Sequence, residues 1–133
     1  MVIDSSAVLA ILLKEPEAPD FARSIESDPT RLLSAVSFLE AAVVIETRKG
    51  LMGGRDLDLL LHRGRIDVVA FDDAQAEVAR QAYRRFGKGR HPAGLNFGDC
   101  CSYALAVTSQ EPLLFKGDDF SKTDLQAIAN NQP

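Results

Sequence analysis

A chain of 133 residues that is 46% hydrophobic has the size for one domain with a substantial core, and a net charge of −4 makes it too acidic for a generic polyanion binder. Its apolar runs fall well short of the roughly 20 residues a membrane span needs, and Met1 leads into one of them with no basic stretch ahead. A cytoplasmic protein with a single domain over residues 1–133 is therefore expected. Cys100 and Cys101 are adjacent, which suits neither a disulfide framework nor a zinc site, so both are assigned a structural role in a buried helix.

Met1-Val2-Ile3 is a short apolar run that stops at Asp4, and Asp4-Ser5-Ser6 ahead of Ala7 to Leu13 marks a strand passing into a helix. Lys14-Glu15-Pro16-Glu17 breaks that pattern. Phe21 and Ile25 then suggest a modest second helix that ends near Ser27-Asp28-Pro29 and is expected to act as a solvated lid. Arg31 to Ala35 reads as the second strand. A long apolar helix follows, from Phe38 to Arg48-Lys49-Gly50, with Glu40 as the one acid in its apolar stretch. Leu51 to Gly54 is expected to be a loop, and Asp56 to Arg63 an amphipathic helix carrying Leu57, Leu60 and Leu61 on one side.

Ile66 to Phe71 is the third strand, and Asp72 or Asp73 caps a helix marked by Ala74, Val78, Ala82, Tyr83 and Phe86. Residues 87–94 form a basic, glycine-rich loop, expected to be flexible, that leads into Leu95-Asn96-Phe97-Gly98-Asp99. The helix from Cys100 to Ser109 is small and apolar nearly all round, Pro112 to Lys116 is a last strand, and Gly117-Asp118-Asp119-Phe120 follows it. Strands alternating with helices require crossover connections. The expected fold class is α/β, a three-layer α/β/α sandwich on a parallel sheet of four strands, with a short fifth strand allowed near the C-terminus.

Asp4, Glu40, Asp99 and the pair Asp118-Asp119 each fall just after a strand or in the opening turns of a buried helix. Each has a plain structural explanation. Asp4 is a helix cap, Glu40 closes a Ser-x-x-Glu capping box with Ser37, Asp99 is a first-turn acid, and Asp118-Asp119 lie in a solvated turn. Taken together they open on one edge of a doubly wound sheet, where ligands collect. Carboxylates held close raise one another's pKa unless a cation neutralises them, and an all-oxygen set suits Mg²⁺ or Mn²⁺ better than zinc. Such a site favours phosphodiester hydrolysis. A serine triad lacks a placed histidine, since His62 and His91 lie elsewhere, and no phosphate-binding glycine motif follows a strand, so nucleotide cofactors drop out.

The opening Met-Val-Ile-Asp-Ser-Ser-Ala, Ser37-Phe38-Leu39-Glu40, Leu95 to Cys100 with Tyr103 to Ala106, and Leu113 to Phe120 with Thr123-Asp124 resemble, in the same order, the PIN-domain ribonucleases. Within these, the chain is similar to the VapC toxins of toxin–antitoxin pairs. The resemblance implies an Mg²⁺- or Mn²⁺-dependent endoribonuclease, held inactive by a VapB antitoxin and usually dimeric. It carries the family's acids onto Asp4, Glu40 and Asp99, with a fourth at Asp118 or Asp119. Asp4 and Asp99 are expected to touch the metal directly, with Glu40 and Asp118 completing the set, and Ser6 to orient a carboxylate or a metal-bound water.

Arg84, Arg85, Lys88, Arg90 and His91 are candidate phosphate contacts, against the alternative of a solvated helix face. The Leu57-Leu60-Leu61 side and the first two helices are candidate walls of an antitoxin groove, against a contribution to the core. Two other classes compete with the nuclease. A phospho-accepting receiver needs an aspartate at the end of a middle strand, whereas Asp56 and Asp58 fall in a helical stretch and Asp67 inside a strand. A catalytically silent PIN-like binding module stays the alternative, with the intact acid set arguing against it.

Overall fold

The computed structural model describes residues 1–128 of the chain. Four short strands, β1 (Val2–Ile3), β2 (Leu32–Ser34), β3 (Asp67–Val69) and β4 (Leu113–Leu114), form one parallel sheet in the order β3-β2-β1-β4. The chain steps outward from β1 through β2 to β3 and then crosses back to place β4 on the other side of β1. The order therefore reverses at β1, and the crevice at the carboxyl ends of β1 and β4 is the place where such sheets bind ligands.

Five helices cover the sheet: α1 (Ser5–Leu12), α2 (Ala18–Ser27), α3 (Ala35–Arg63), α4 (Asp73–Phe86) and α5 (Phe97–Ser109). Strand residues alternate between the faces. Val2, Leu32 and Leu113 pack with α4 and α5, whereas Met1, Ile3, Leu33 and Leu114 pack with α1, α2 and α3. β1 and β4 are buried on both faces, which is why these two strands are continuously apolar rather than alternating, whereas edge strand β3 exposes Asp67 and Val68. The expected sandwich is present. The fifth strand is reduced, among the described residues, to a single parallel bridge of Ala127 to Leu113, with Leu113 N–H donating to Gln126 O at 3.1 Å.

Three local expectations change. Helix α2 is no lid: Phe21 and Ile25, 3% and 4% exposed, are built into the core, each side chain contributing about 1.5–3 kcal/mol by burial. The loop expected at 51–54 is replaced by one residue, because α3 turns back on itself at Gly50 (φ 63°, ψ −156°) and its second arm starts at once. The arms touch so closely that a Cβ at Gly53 would lie 2.6 Å from Ile45 O, a contact only glycine allows. Leu57 is 1% exposed, and Leu60 and Leu61 pack beside it, so this leucine side belongs to the core.

The base of loop 87–94 is closed by two backbone hydrogen bonds, Lys88 N–H donating to Leu95 O and Leu95 N–H to Phe86 O, both at 2.9 Å. No helix among the described residues is long and apolar enough to cross a membrane.

Candidate active site

Asp4 is the first residue beyond β1, and it is 3% exposed. It caps α1 by accepting the Ser6 N–H on Oδ2 at 3.0 Å. Its other oxygen, Oδ1, accepts the hydroxyl of Ser102 at 2.6 Å, and Ser102 Oγ lies 3.0 Å from Ser37 Oγ. A buried carboxylate is thus held through both oxygens by neutral donors, with no countercharge among the described residues. Ser102 sits three residues after Asp99 on the buried face of α5, and Ser102 and Ser37 are both fully buried. In sequence Ser102 is one hydroxyl in a run of small helical residues, and its only signal is the three-residue spacing from Asp99, which places both on one side of α5.

Ser37 is not the helix cap that the Ser-x-x-Glu spacing suggested. Helix α3 starts earlier, at Ala35, capped by Ser34 Oγ accepting from Val36 N–H at 3.2 Å, so Ser37 already lies inside it and is free to reach Ser102. Glu40 is accordingly released from any capping duty and points to the acid edge. Ser5 Oγ donates to its Oε1 at 3.4 Å. Burial, then the charge of Asp4, raises the Glu40 pKa. The Ser6 hydroxyl accepts from Lys116 N–H at 3.0 Å, tying the end of β4 to α1, and the Ser6 amide holds Asp4.

Asp99 lies in the first turn of α5, in a reciprocal capping box: Asn96 Oδ1 accepts from Asp99 N–H at 2.9 Å, and Asp99 Oδ2 accepts from Asn96 N–H at 3.0 Å. Capping leaves its second oxygen for other work. Burial pushes the Asp99 pKa up from 3.8 to about 6, and the charges of Asp4, Asp119 and Glu40 push the same way against the Asn96 amide.

The two acids after β4 differ. The charge of Asp119 reaches Asp99, while Asp118 is 79% exposed at its side chain and stands 3.9 Å from Lys122 Nζ. Gly98 makes room for the cluster, since a Cβ there would fall 2.5 Å from the Glu40 carboxyl carbon.

Among the described residues no Lys, Arg or His pairs with Asp4, Glu40, Asp99 or Asp119; the nearby Lys116 ammonium is taken by Glu15 and Glu17. Carboxylates that repel one another, Asp99 against Asp4, Glu40 and Asp119 and Glu40 against Asp4, without a countercharge among the described residues, are a donor set that fits a hard divalent cation and offers nothing soft. They are not drawn into a finished cage: among the described residues no three acids stand close enough to hold an ion as they are. Cys100 and Cys101 are free and buried, and their thiols are pushed up to about 11, first by burial, so they stay protonated.

The basic residues divide. Arg85 pairs with Asp124 at 3.4 Å and lies over the Phe86 ring, and His91 Nδ1 accepts from Ala93 N–H at 3.0 Å with its ring edge-on to Phe86. Arg84, Lys88 and Arg90 are exposed and make no ion pair among the described residues.

Comparison with known proteins defines the class. The PIN domain model matches residues 1–125. Ribonuclease VapC30 of Mycobacterium tuberculosis is 57% identical over 129 residues, covering 97% of this chain and 98% of the relative. Ribonuclease VapC of Mycolicibacterium smegmatis is 57% identical over 128 residues, covering 96% and 99%. The crystal structure of Mycobacterium tuberculosis VapC20, a sarcin–ricin loop cleaving toxin, superimposes with a TM-score of 0.77 at 15% identity, over 96% of this chain and 97% of that one. The chain belongs to the PIN-domain family, in its VapC ribonuclease branch. The receiver reading is thereby removed.

Ser102→Ala is expected to cost about 1–3 kcal/mol of stability, because the Asp4 carboxylate loses a donor it cannot replace from water, and to lower RNA cleavage about 10- to 100-fold. Denaturant unfolding and initial rates on one preparation check this; cleavage unchanged at lowered stability would make Ser102 purely structural.

Proposed function

We propose that this VapC-type ribonuclease hydrolyses RNA phosphodiester bonds at the carboxyl edge of β1 and β4 with a divalent cation, Mg²⁺ or Mn²⁺, held by Asp4 and Asp99. The observation that carries this is the convergence of carboxylates from four separate segments on one edge with no pairing cation among the described residues. Asp119 is the fourth acid in this reading, in place of Asp118, because its charge reaches Asp99 whereas Asp118 stands by Lys122.

A bound cation supplies Lewis-acid polarisation of the phosphate and acidifies the attacking water. The residues do the rest. Ser102 and the Ser6 amide hold Asp4 in one rotamer, the capping box holds Asp99, and Glu40, whose proton affinity is raised, takes the proton of the attacking water. Arg84, Lys88 and Arg90 contact the RNA backbone. Arg85 and His91 support them, the one through Asp124 and the other by bracing the loop.

The antitoxin is proposed to dock as an apolar segment in the cleft between the two arms of α3, a space of about 310 Å³ that Phe38 and Leu51 help to line. Leu39, Val43, Leu51 and Met52 are exposed on this helix, and their burial by a partner is favourable. The match over residues 1–125 supports one domain, the buried thiols suit a cytoplasmic setting, and the family resemblance supports a homodimer.

One experiment tests the whole reading. The purified chain is expected to cut RNA with Mg²⁺ or Mn²⁺ and to stop when both are chelated; in chelator, RNA binding weakens with salt, with a slope shallower by about 0.7 for each phosphate-contacting arginine changed to alanine. The cognate antitoxin blocks cleavage, and Val43→Glu with Leu51→Glu lifts that block. Cleavage that survives chelation would overturn the metal site.

A further inference from the structure

A cavity of about 530 Å³ opens between α4 and α5, and no step of the hydrolysis uses it. Phe71, Tyr83 and Phe97 supply aromatic walls, and Arg80, Arg84 and Arg90 bring three guanidinium groups to the same space. It adjoins the acid edge: Cys100 and Cys101 also line it, the two residues that follow Asp99, and the charge of Glu40 reaches the Cys101 thiol.

Its make-up is unlike a gap in the core. Phe97 is 76% exposed and Tyr83 42%, so two aromatic rings stand in water beside a functional edge. Arg90 lies 5.3 Å from the Tyr83 ring centroid, and neither Arg84 nor Arg90 has an anionic partner among the described residues. Aromatic faces bordered by unpaired guanidinium groups are complementary to a flat apolar ring that carries an anion. A nucleotide is such a group.

We propose that this cavity is a base-binding subsite for the RNA strand, in which one unstacked nucleobase stacks on Phe97 and Tyr83 while Arg84 and Arg90 hold the flanking phosphates. The proposal rests on the ribonuclease reading and deepens it. A base seated against Phe97, two residues before Asp99, fixes which phosphodiester the acids meet. It also requires that base to be out of a duplex, so the substrate is a single-stranded or looped segment.

The test uses short single-stranded RNA oligonucleotides, each with one fluorescent aminopurine, bound to the full chain in chelator so that the strand stays intact. Emission is expected to be quenched at one position. Phe97→Ala is expected to abolish the quench and weaken affinity roughly five- to a hundredfold, and Phe97→Tyr to restore both. Circular dichroism should be unchanged, because the side chain is largely in solvent.

Full quenching and affinity in Phe97→Ala would overturn the subsite. So would a Phe97→Ala chain that binds RNA normally but halves its mass by light scattering, which would assign the face to a second copy. An intact chain that cuts RNA without quenching at any position refutes the subsite alone, whereas one that neither binds nor cuts RNA refutes the ribonuclease reading beneath it.

Discussion

Asp99→Asn is expected to reduce RNA cleavage by at least about a hundredfold while making the chelated protein more stable at alkaline pH. Both effects come from one carboxylate. The substituted side-chain amide keeps an oxygen for the Asn96 N–H, so the helix cap survives, but the charge that would hold the cation is gone.

The stability sign follows from linkage. Burial and the charges of Asp4, Asp119 and Glu40 raise the folded pKa to about 6 from 3.8, so between those values the folded chain holds a proton that the unfolded chain has released. Stability from this group is therefore lost as pH rises through that window, and the metal-free wild type carries the full penalty above it. Asp99 is partly exposed, so solvent screening reduces the penalty to about 1–2 kcal/mol.

Unfolding of wild type and variant in chelator at about pH 4 and about pH 8 is expected to show near equality at the first and a more stable variant at the second. Equal destabilisation at both would reduce Asp99 to a cap. Retained cleavage would remove it from the reaction.

Gly98→Ala is expected to leave the fold nearly as stable as before and to lower cleavage about a hundredfold. The added methyl falls against the Glu40 carboxylate, the mobile end of a long side chain, which can move aside more cheaply than backbone can. Alanine also gains about 0.5–1 kcal/mol of helix preference over glycine in α5, offsetting part of the crowding.

What does not recover is the position of Glu40 next to Asp4 and Asp99. A double-mutant cycle isolates this. If the methyl acts through Glu40, Gly98→Ala has no further effect once Glu40→Ala is present. Independent, multiplicative losses would show that the glycine matters for another reason, such as the start of α5.

The strands, the α/β class and the acids Asp4 and Asp99 are legible from residue order because each is a local event: an apolar run ends, a polar residue caps the next helix, and both fall at the same peptide. Glu40 is legible only as one of a set, and its suggested capping box with Ser37 is wrong because a helix start depends on which residue leaves the strand, here Ser34. The leucines of the second α3 arm show the same limit. Their amphipathic pattern says that one side is apolar, and only the fold-back at Gly50 decides that this side meets the core, leaving Phe38 and Leu51 on the cleft.

Ser102 escapes a reading of residue order, Asp118 and Asp119 are not separable by it, and Phe97 passes as part of a motif. Each depends on a neighbour far away in sequence: Ser102 on Asp4 across 98 residues, Asp119 on Asp99, Phe97 on Tyr83 across the α4–α5 cavity. Residue order by itself determined the periodicities, the turn chemistry and the supply of acids. The tertiary structure decided the strand order that puts β1 inside the sheet, the hydroxyl that holds Asp4 and the acids whose charges reach Asp99, because burial and electrostatic coupling depend on distance in space, which an isolated chain pattern does not contain.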